Sequence, residues 1–357
     1  MSPQEGSRFA GGGAKGVLAG GSGDMTGALG IDVGGTKLAG VVLSGGPGHW
    51  EVVAQGRARV AQSLEGLQDG VAQLASSLCA QALSEKGVEA RWAGFGMPAR
   101  VSRDGRLGRA ANLRFITGLD GKELLGKALA KAQVCQDAGG VTVDNDATCA
   151  MAGEAALGAA RGMRDALMIT LGTGIGGGLL LEGQIYRGAH GFAGEVGHFV
   201  IDADGPVCAC GKRGCWEQLA SGPALARMAR EALESGKLGA VGALVGGDAS
   251  LVRGEHVTQA AAAGDKEAQA LLDELVYWMA LGLEGLVEVL DVEAAVIGGG
   301  MVEAGELIMG PLRQKVNELL HVGNERDELP VLRAELGSLA GAVGAAFLAW
   351  QDATRGG

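Results

Sequence analysis

The chain sorts into short apolar runs broken by glycine turns and longer stretches with helical spacing. Residues 29–33 and 38–43 read as two strands joined by the tight turn Gly34-Gly35-Thr36. Further strands are expected over 51–60, around 92–96 and over 141–144, with helices over 64–86 and 121–133. The second half repeats the opening device: apolar runs at 166–171 and 178–181 flank the loop Gly172-Thr-Gly-Ile-Gly-Gly-Gly178, so the chain reads as internally duplicated. Helices are then expected over 147–160, 222–234 and 266–289, followed by a strand at 294–297 and a helix from 303 to about 320. A last strand at 330–333 precedes the small-residue run 339–350, which suits a closely packed terminal helix. Strands alternating with helices indicate an α/β architecture.

Composition changes this picture in three places. A length of 357 residues is enough for two lobes with substantial cores. Glycine, at 66 residues, is far above the usual share of ~7%, and the excess is read as turns and ligand loops. Residues 1–24 hold eight of these glycines and no apolar period, so a disordered leader is expected there. The net charge of -11, from 41 acidic and 30 basic residues, repels phosphate backbones and argues against a nucleic-acid partner. The longest uncharged run, 166–181, is interrupted by glycines and falls short of the ~18 residues that suggest a membrane span. With no targeting pattern at the start, the expected compartment is the cytoplasm.

Chemistry concentrates in a few segments. Asp32-Val-Gly34-Gly35-Thr36 places a carboxylate at a strand end beside free backbone N–H groups and a hydroxyl, which suits a hydrated magnesium ion next to a triphosphate. Taken alone, Gly-Gly-Thr is as well explained by a hairpin turn. The loop 172–178 formally satisfies G-x-G-x-x-G, yet it runs into Leu179-Leu180-Leu181 and a turn instead of a helix, which removes the dinucleotide-fold reading. His198, Cys208, Cys210 and Cys215, with turn glycines between them, compose a closed tetrahedral zinc site of structural type. Glu195 and Glu217 are tethered to that metal by short segments, and paired carboxylates beside an imidazole suit a ligand rich in hydroxyl groups. Asp146, after a strand and before a small-residue helix, is either the helix N-cap or a general base at the cleft end of a strand.

Together these segments resemble the ROK family of sugar kinases and sugar-responsive repressors, within the actin-like ATPase superfamily. The likeness runs from about Leu29 to the C-terminus: Asp32-Val-Gly-Gly-Thr-Lys37 is similar to its first phosphate loop, and Leu171-Gly172-Thr173-Gly174 to its second. Asn145-Asp146-Ala147 is similar to its catalytic segment, Glu195-Val-Gly-His198 with the Cys208–Glu217 stretch to its sugar and zinc signature, and Ile297-Gly298-Gly299-Gly300 to its adenosine-side turn. The resemblance implies a two-lobed actin-like (ribonuclease H-like) fold with a nucleotide and sugar cleft between lobes spanning 25–144 and 145–338. The terminal helix, within 339–357, would return to the first lobe. It implies ATP, Mg²⁺ and structural Zn²⁺ as cofactors, Asp146 as general base, and Asn145, Glu195, His198 and Glu217 as sugar ligands. His198 would then serve both zinc and sugar. The implied reaction is phosphorylation of a hexose, foremost glucose, by a homodimer. The alternatives are an N-acetylhexosamine kinase and a sugar-sensing regulator without kinase activity. One segment departs from the family: Gly96-Met97-Pro98-Ala99-Arg100 has Ala99 where many members have glycine, which puts the loop's path and the fine sugar specificity in question.

Overall fold

A computed structural model of the chain describes residues 25–46, 48–110, 112–135, 140–321 and 327–355. The leader expected at 1–24 lies outside them. The first half contributes strands β1 (Met25–Val33), β2 (Lys37–Gly46), β3 (His49–Arg59), β4 (Val88–Met97) and β5 (Val141–Asn145). Helices α1 (Leu64–Lys86), α2 (Gly121–Ala132) and α3 (Asp146–Leu157) belong to the same stretch. The second half begins with β6 (Ala166–Leu171), β7 (Ile175–Leu181) and β8 (Gln184–Ile185), then α4 (Glu217–Ala220), α5 (Gly222–Glu234), α6 (Gly239–Leu244), α7 (Gly254–Ala262) and α8 (Lys266–Leu290). It closes with β9 (Ala294–Gly298), α9 (Glu306–Leu319), β10 (Val331–Arg333) and α10 (Ala340–Arg355).

The duplication read from the glycine loops is visible in the topology. The first sheet has the order β3-β2-β1-β4-β5 and the second, read in the same sense, β8-β7-β6-β9-β10. In each, the first three strands form an antiparallel meander and the last two add in parallel.

Alternation along β1 explains how two helical layers sandwich the first sheet. Leu29, Ile31 and Val33 join Leu67, Val71 and Leu74 of α1 in one core, while Ala28 packs with Ala342, Val343 and Ala346 of α10 on the opposite face. The second face is built for backbone contact: a Cβ on Gly30 would lie 2.0 Å from the Ala342 carbonyl oxygen, and one on Gly94 1.9 Å from that of Ala345. The same economy lets α10 cross α3, where a Cβ on Gly344 would lie 1.7 Å from the Cys149 oxygen. The second sheet's core is larger and conventional, with Leu167, Ile169 and Ile297 packed against α5, α7, α8 and α9.

Two expectations shift. The helix read from 303 splits: Gly300–Ala304 forms a 3₁₀ turn, Gly305 takes φ +63°, and α9 starts only at Glu306. The helix read over 147–160 starts at Asp146 and ends at Leu157. There Glu154, fully buried, turns its carboxylate to accept hydrogen bonds from the N–H groups of Ala159, Glu335 and Leu336.

Candidate active site between the two sheets

A cleft of about 650 Å³ opens where the strand ends of both sheets meet. Its walls carry Asn145, Asp146, Glu195, His198, Glu217 and the second glycine loop, Gly172-Thr173-Gly174, together with Gly299. Residues far apart in the chain thus converge because each sits at the end of β5, β6 or β9, in the loop that follows β8, or, for Glu217, at the start of α4.

The helix cap is one residue earlier than the N-cap alternative requires. Asn145 caps α3, its Oδ1 accepting from the N–H groups of Ala147 (2.9 Å) and Thr148 (3.1 Å), and its Nδ2 donates to the Ala99 carbonyl. Asp146 is the first helical residue and keeps its carboxylate toward the cleft, with Oδ1 accepting from Ala147 N–H. Burial pushes Asp146 up to about 6, against the pull of the Ala147 N–H and with the Glu195 charge adding to the rise. Ala99 is buried and has no positive φ, so the missing glycine is accommodated without left-handed backbone.

The first glycine turn lies beside the cleft without lining it. Gly34 N–H donates to the Lys37 carbonyl, Gln62 Nε2 donates to the Gly35 carbonyl, and a Cβ on Gly35 would lie 3.0 Å from Asn112, which does line the cleft. Thr36 and Lys37 are exposed. Asp32 sits deeper, between Gly96 and Gly341, and its Oδ1 is buried with no hydrogen-bond partner among the described residues. Burial, reinforced by the Asp146 charge, pushes Asp32 up to about 7. An unpartnered buried carboxylate oxygen at this place is a fitting ligand for a cation or its water shell. Gly298 is buried within β9 and, unlike Gly299, is not part of the cleft wall.

The ligand atoms of His198, Cys208, Cys210 and Cys215 all lie within 4.8 Å of one another. Cys210 Sγ is 3.5 Å from Cys215 Sγ, and Cys208 Sγ is 3.7 Å from His198 Nδ1. Tetrahedral zinc bonds of 2.0–2.3 Å separate their ligands by about 3.3–3.8 Å, so donor set and spacing both fit that ion. The loop is held by backbone, with Cys208 N–H donating to the Lys212 carbonyl and Gly214 packed so tightly on Asp202 that a Cβ would lie 1.4 Å from its oxygen. Glu217 touches this cluster as well as the cleft: its Oε1 is 3.3 Å from His198 Nδ1 and 3.1 Å from Cys208 Sγ.

A model of the ROK family matches residues 28–352. The chain belongs to the ROK family. It is 34% identical over 324 residues to a glucokinase of Streptomyces coelicolor, covering 90% of this chain and 96% of that one. It is 32% identical over 290 residues to a glucokinase of Thermotoga maritima, covering 81% and 86%. Among solved structures, it is similar to a ROK glucokinase from Streptomyces griseus in complex with glucose and AMPPNP, with a TM-score of 0.74, 33% identity and coverage of 91% and 99%. A ROK hexokinase from Thermus thermophilus gives 0.76 at 29% identity, covering 93% and 100%. The two mixed sheets with the cleft between them are the actin-like fold of this family's sugar kinases.

Sequence reasoning passed over several residues that the structure brings to this place. Arg100 forms an ion pair with Glu195, and Arg109, Asn112 and Lys212 also line the cleft. Arg187, after β8, donates through Nε at 2.5 Å to Asp144 at the end of β5, linking the halves behind the cleft. Arginines in glycine-rich loops carry no period, so only the partner across space reveals them.

Proposed function

We propose that this ROK-family chain is an ATP-dependent hexose kinase that transfers the γ-phosphoryl group of ATP to a sugar hydroxyl, foremost the 6-hydroxyl of glucose. The observation that carries this reading is one cleft that joins a phosphate-type glycine loop, Gly172-Thr173-Gly174, to the half-buried Asp146 carboxylate and a cluster of hydroxyl-binding groups. The glucokinase relatives, matched over nearly their full length, support the choice of glucose.

In this mechanism Asp146 accepts the proton of the attacking hydroxyl, and a carboxylate held near 6 is ionised at neutral pH yet basic enough to take it. Glu195, His198 and Glu217 hold the sugar's other hydroxyls, and Asn145 fixes the start of α3 through its Oδ1 and offers the second hydrogen of its Nδ2 to the substrate. Gly35 and Gly174 present backbone N–H groups to the phosphates, Thr36 and Lys37 flank them, and Gly299 approaches the adenosine side with Gly298 buried behind it, while Gly34 and Gly172, whose N–H groups donate to the Lys37 and Gly174 carbonyls, shape the two turns. Magnesium, brought in with ATP, supplies positive charge against the phosphates, and Asp32 is the residue that would face it. His198, Cys208, Cys210 and Cys215 would hold a structural zinc with no open position, which fixes the loop bearing Glu195 and Glu217. Positioning and electrostatics account for most of the barrier reduction in such a transfer. The lobes would span 25–144 and 145–338, and the assembly would be a homodimer. No helix among the described residues is long and apolar enough to cross a membrane.

The test is ADP release measured with glucose, mannose, N-acetylglucosamine and N-acetylmannosamine, for the native chain and for Asp146→Asn. Glucose should give the highest kcat/KM, with an acid limb near pH 6 because the base is lost as it protonates. The variant should lower kcat by ~10²–10⁴ while still binding sugar. Turnover within about threefold of the native chain would remove Asp146 from the chemistry.

A further inference from the structure

Arg100 and Glu195 come from opposite halves of the molecule and meet across the cleft, Arg100 Nε lying 3.0 Å from Glu195 Oε2. Both ends stand on fixed backbone. Arg100 lies in the loop after β4, where its carbonyl accepts from Gly108 N–H at 2.7 Å and Val101 bridges to Leu107. Glu195 follows Gly194, whose φ of +91° and whose Cβ position 2.4 Å from the Gly177 oxygen lock it onto β7. The side chains are 44% and 30% exposed, so the pair borders the cleft's solvent and is within reach of a bound molecule. A second contact keeps the two loops in register: the Arg103 guanidinium donates to the Gly188 carbonyl at 2.5 and 2.8 Å.

The pair has a chemical consequence for whatever occupies the cleft. A lone Glu195 would present a net negative charge that favours an ammonium group on the ligand. With the guanidinium on one oxygen, the carboxylate still accepts hydrogen bonds from hydroxyls but its charge is already matched. The other charged groups on the cleft are Arg109, Lys212, Asp146 and Glu217, with His198 beside Glu217, and Arg100 is the one within ion-pair distance of Glu195 among the described residues. We propose that Arg100 is a specificity-determining residue: by neutralising Glu195 across the cleft, it makes the acceptor site select uncharged hexoses over protonated amino-hexoses. This rests on the sugar-kinase reading above and adds the charge class of the acceptor to it.

The experiment compares kcat/KM for glucose, 2-amino-2-deoxyglucose and 3-amino-3-deoxyglucose at about pH 6.5, where a sugar amine is largely protonated, and about pH 9, where it is not. Arg100→Gln should raise the amino-to-neutral ratio about three- to tenfold at the lower pH for at least one amine position, the scale of a partly exposed charge pair, and leave it near native at the higher pH. Arg100→Lys should keep the native ratio. Glu195→Gln should move the ratio the opposite way, because it leaves the guanidinium unmatched, and this arm stands even if Arg100→Gln folds poorly. A ratio unchanged within twofold in both Gln variants, or shifted equally at the two pH values, overturns the proposal. A native chain that phosphorylates none of the three sugars refutes the sugar-kinase reading instead.

Discussion

Replacing Asp32 by Asn should stabilise the protein and make its stability less dependent on pH. The carboxylate is wedged between Gly96 and Gly341, one oxygen has no partner, and burial with the neighbouring Asp146 charge pushes it from 3.8 up to about 7. Because the folded value lies above the unfolded one, the native state holds a proton that the unfolded chain releases. The group's contribution is therefore fully present below about pH 4 and lost as pH rises toward 7. At about 1.4 kcal/mol per tenfold change in proton affinity, ionising Asp32 at pH 8 costs the folded state up to about 4 kcal/mol, and roughly 2–3 kcal/mol of that develops between pH 5 and 8. Asn keeps the shape without the charge. Denaturant melts without nucleotide or magnesium, followed by tryptophan fluorescence and checked for a single transition, should show the variant's advantage growing by about that amount from pH 5 to pH 8. An advantage that is equal at both pH values, or larger at pH 5, would refute the buried-charge argument.

Other consequences are as direct. Gly344→Ala should lower stability by about 3 kcal/mol or more, since its Cβ would enter the Cys149 carbonyl of α3, whereas Gly239→Ala, with open space around it, should shift the melting temperature little; equal melts would show that α10 and α3 part freely. Elemental analysis should find one zinc per chain, absent in Cys210→Ser, and that variant should raise the sugar KM well above any change in the ATP KM. A zinc-free native protein with an ordinary sugar KM would sink the structural role given to the metal.

What the sequence displayed depended on period and on clustering. The strands on both sides of each glycine turn, helices α1, α5 and α8 and the cysteine cluster were legible because each repeats a local rule over many residues or packs metal donors into eighteen positions, 198–215. Helices α6 and α7 were not, being too short to repeat a period, and Leu238 even enters α6 with φ +60°. The break before α9 hid in Gly305, whose positive φ leaves no mark on hydrophobic spacing. At the candidate site, the donor residues could be named but not their duties. Only the hydrogen bonds show that Asn145, and not Asp146, caps α3, and only spatial contact pairs Arg100 with Glu195. Cross-cleft contacts join loops about ninety residues apart, and one-dimensional spacing does not encode them.

The placement of α10 has a consequence for biosynthesis. Every strand of the first sheet has been made by Asn145, yet the helix that covers the Ala28, Gly30 and Gly94 face begins at Ala340, 195 residues later. At translation rates of roughly 5–20 residues per second, that face waits about 10–40 s for its cover. The wait is made tolerable by the same residues that permit the final docking: a surface of glycine and alanine offers a stray partner little apolar area. A nascent chain halted before α10 should accordingly remain a client of the folding machinery, with its first lobe incomplete although that lobe's strands were the earliest to emerge.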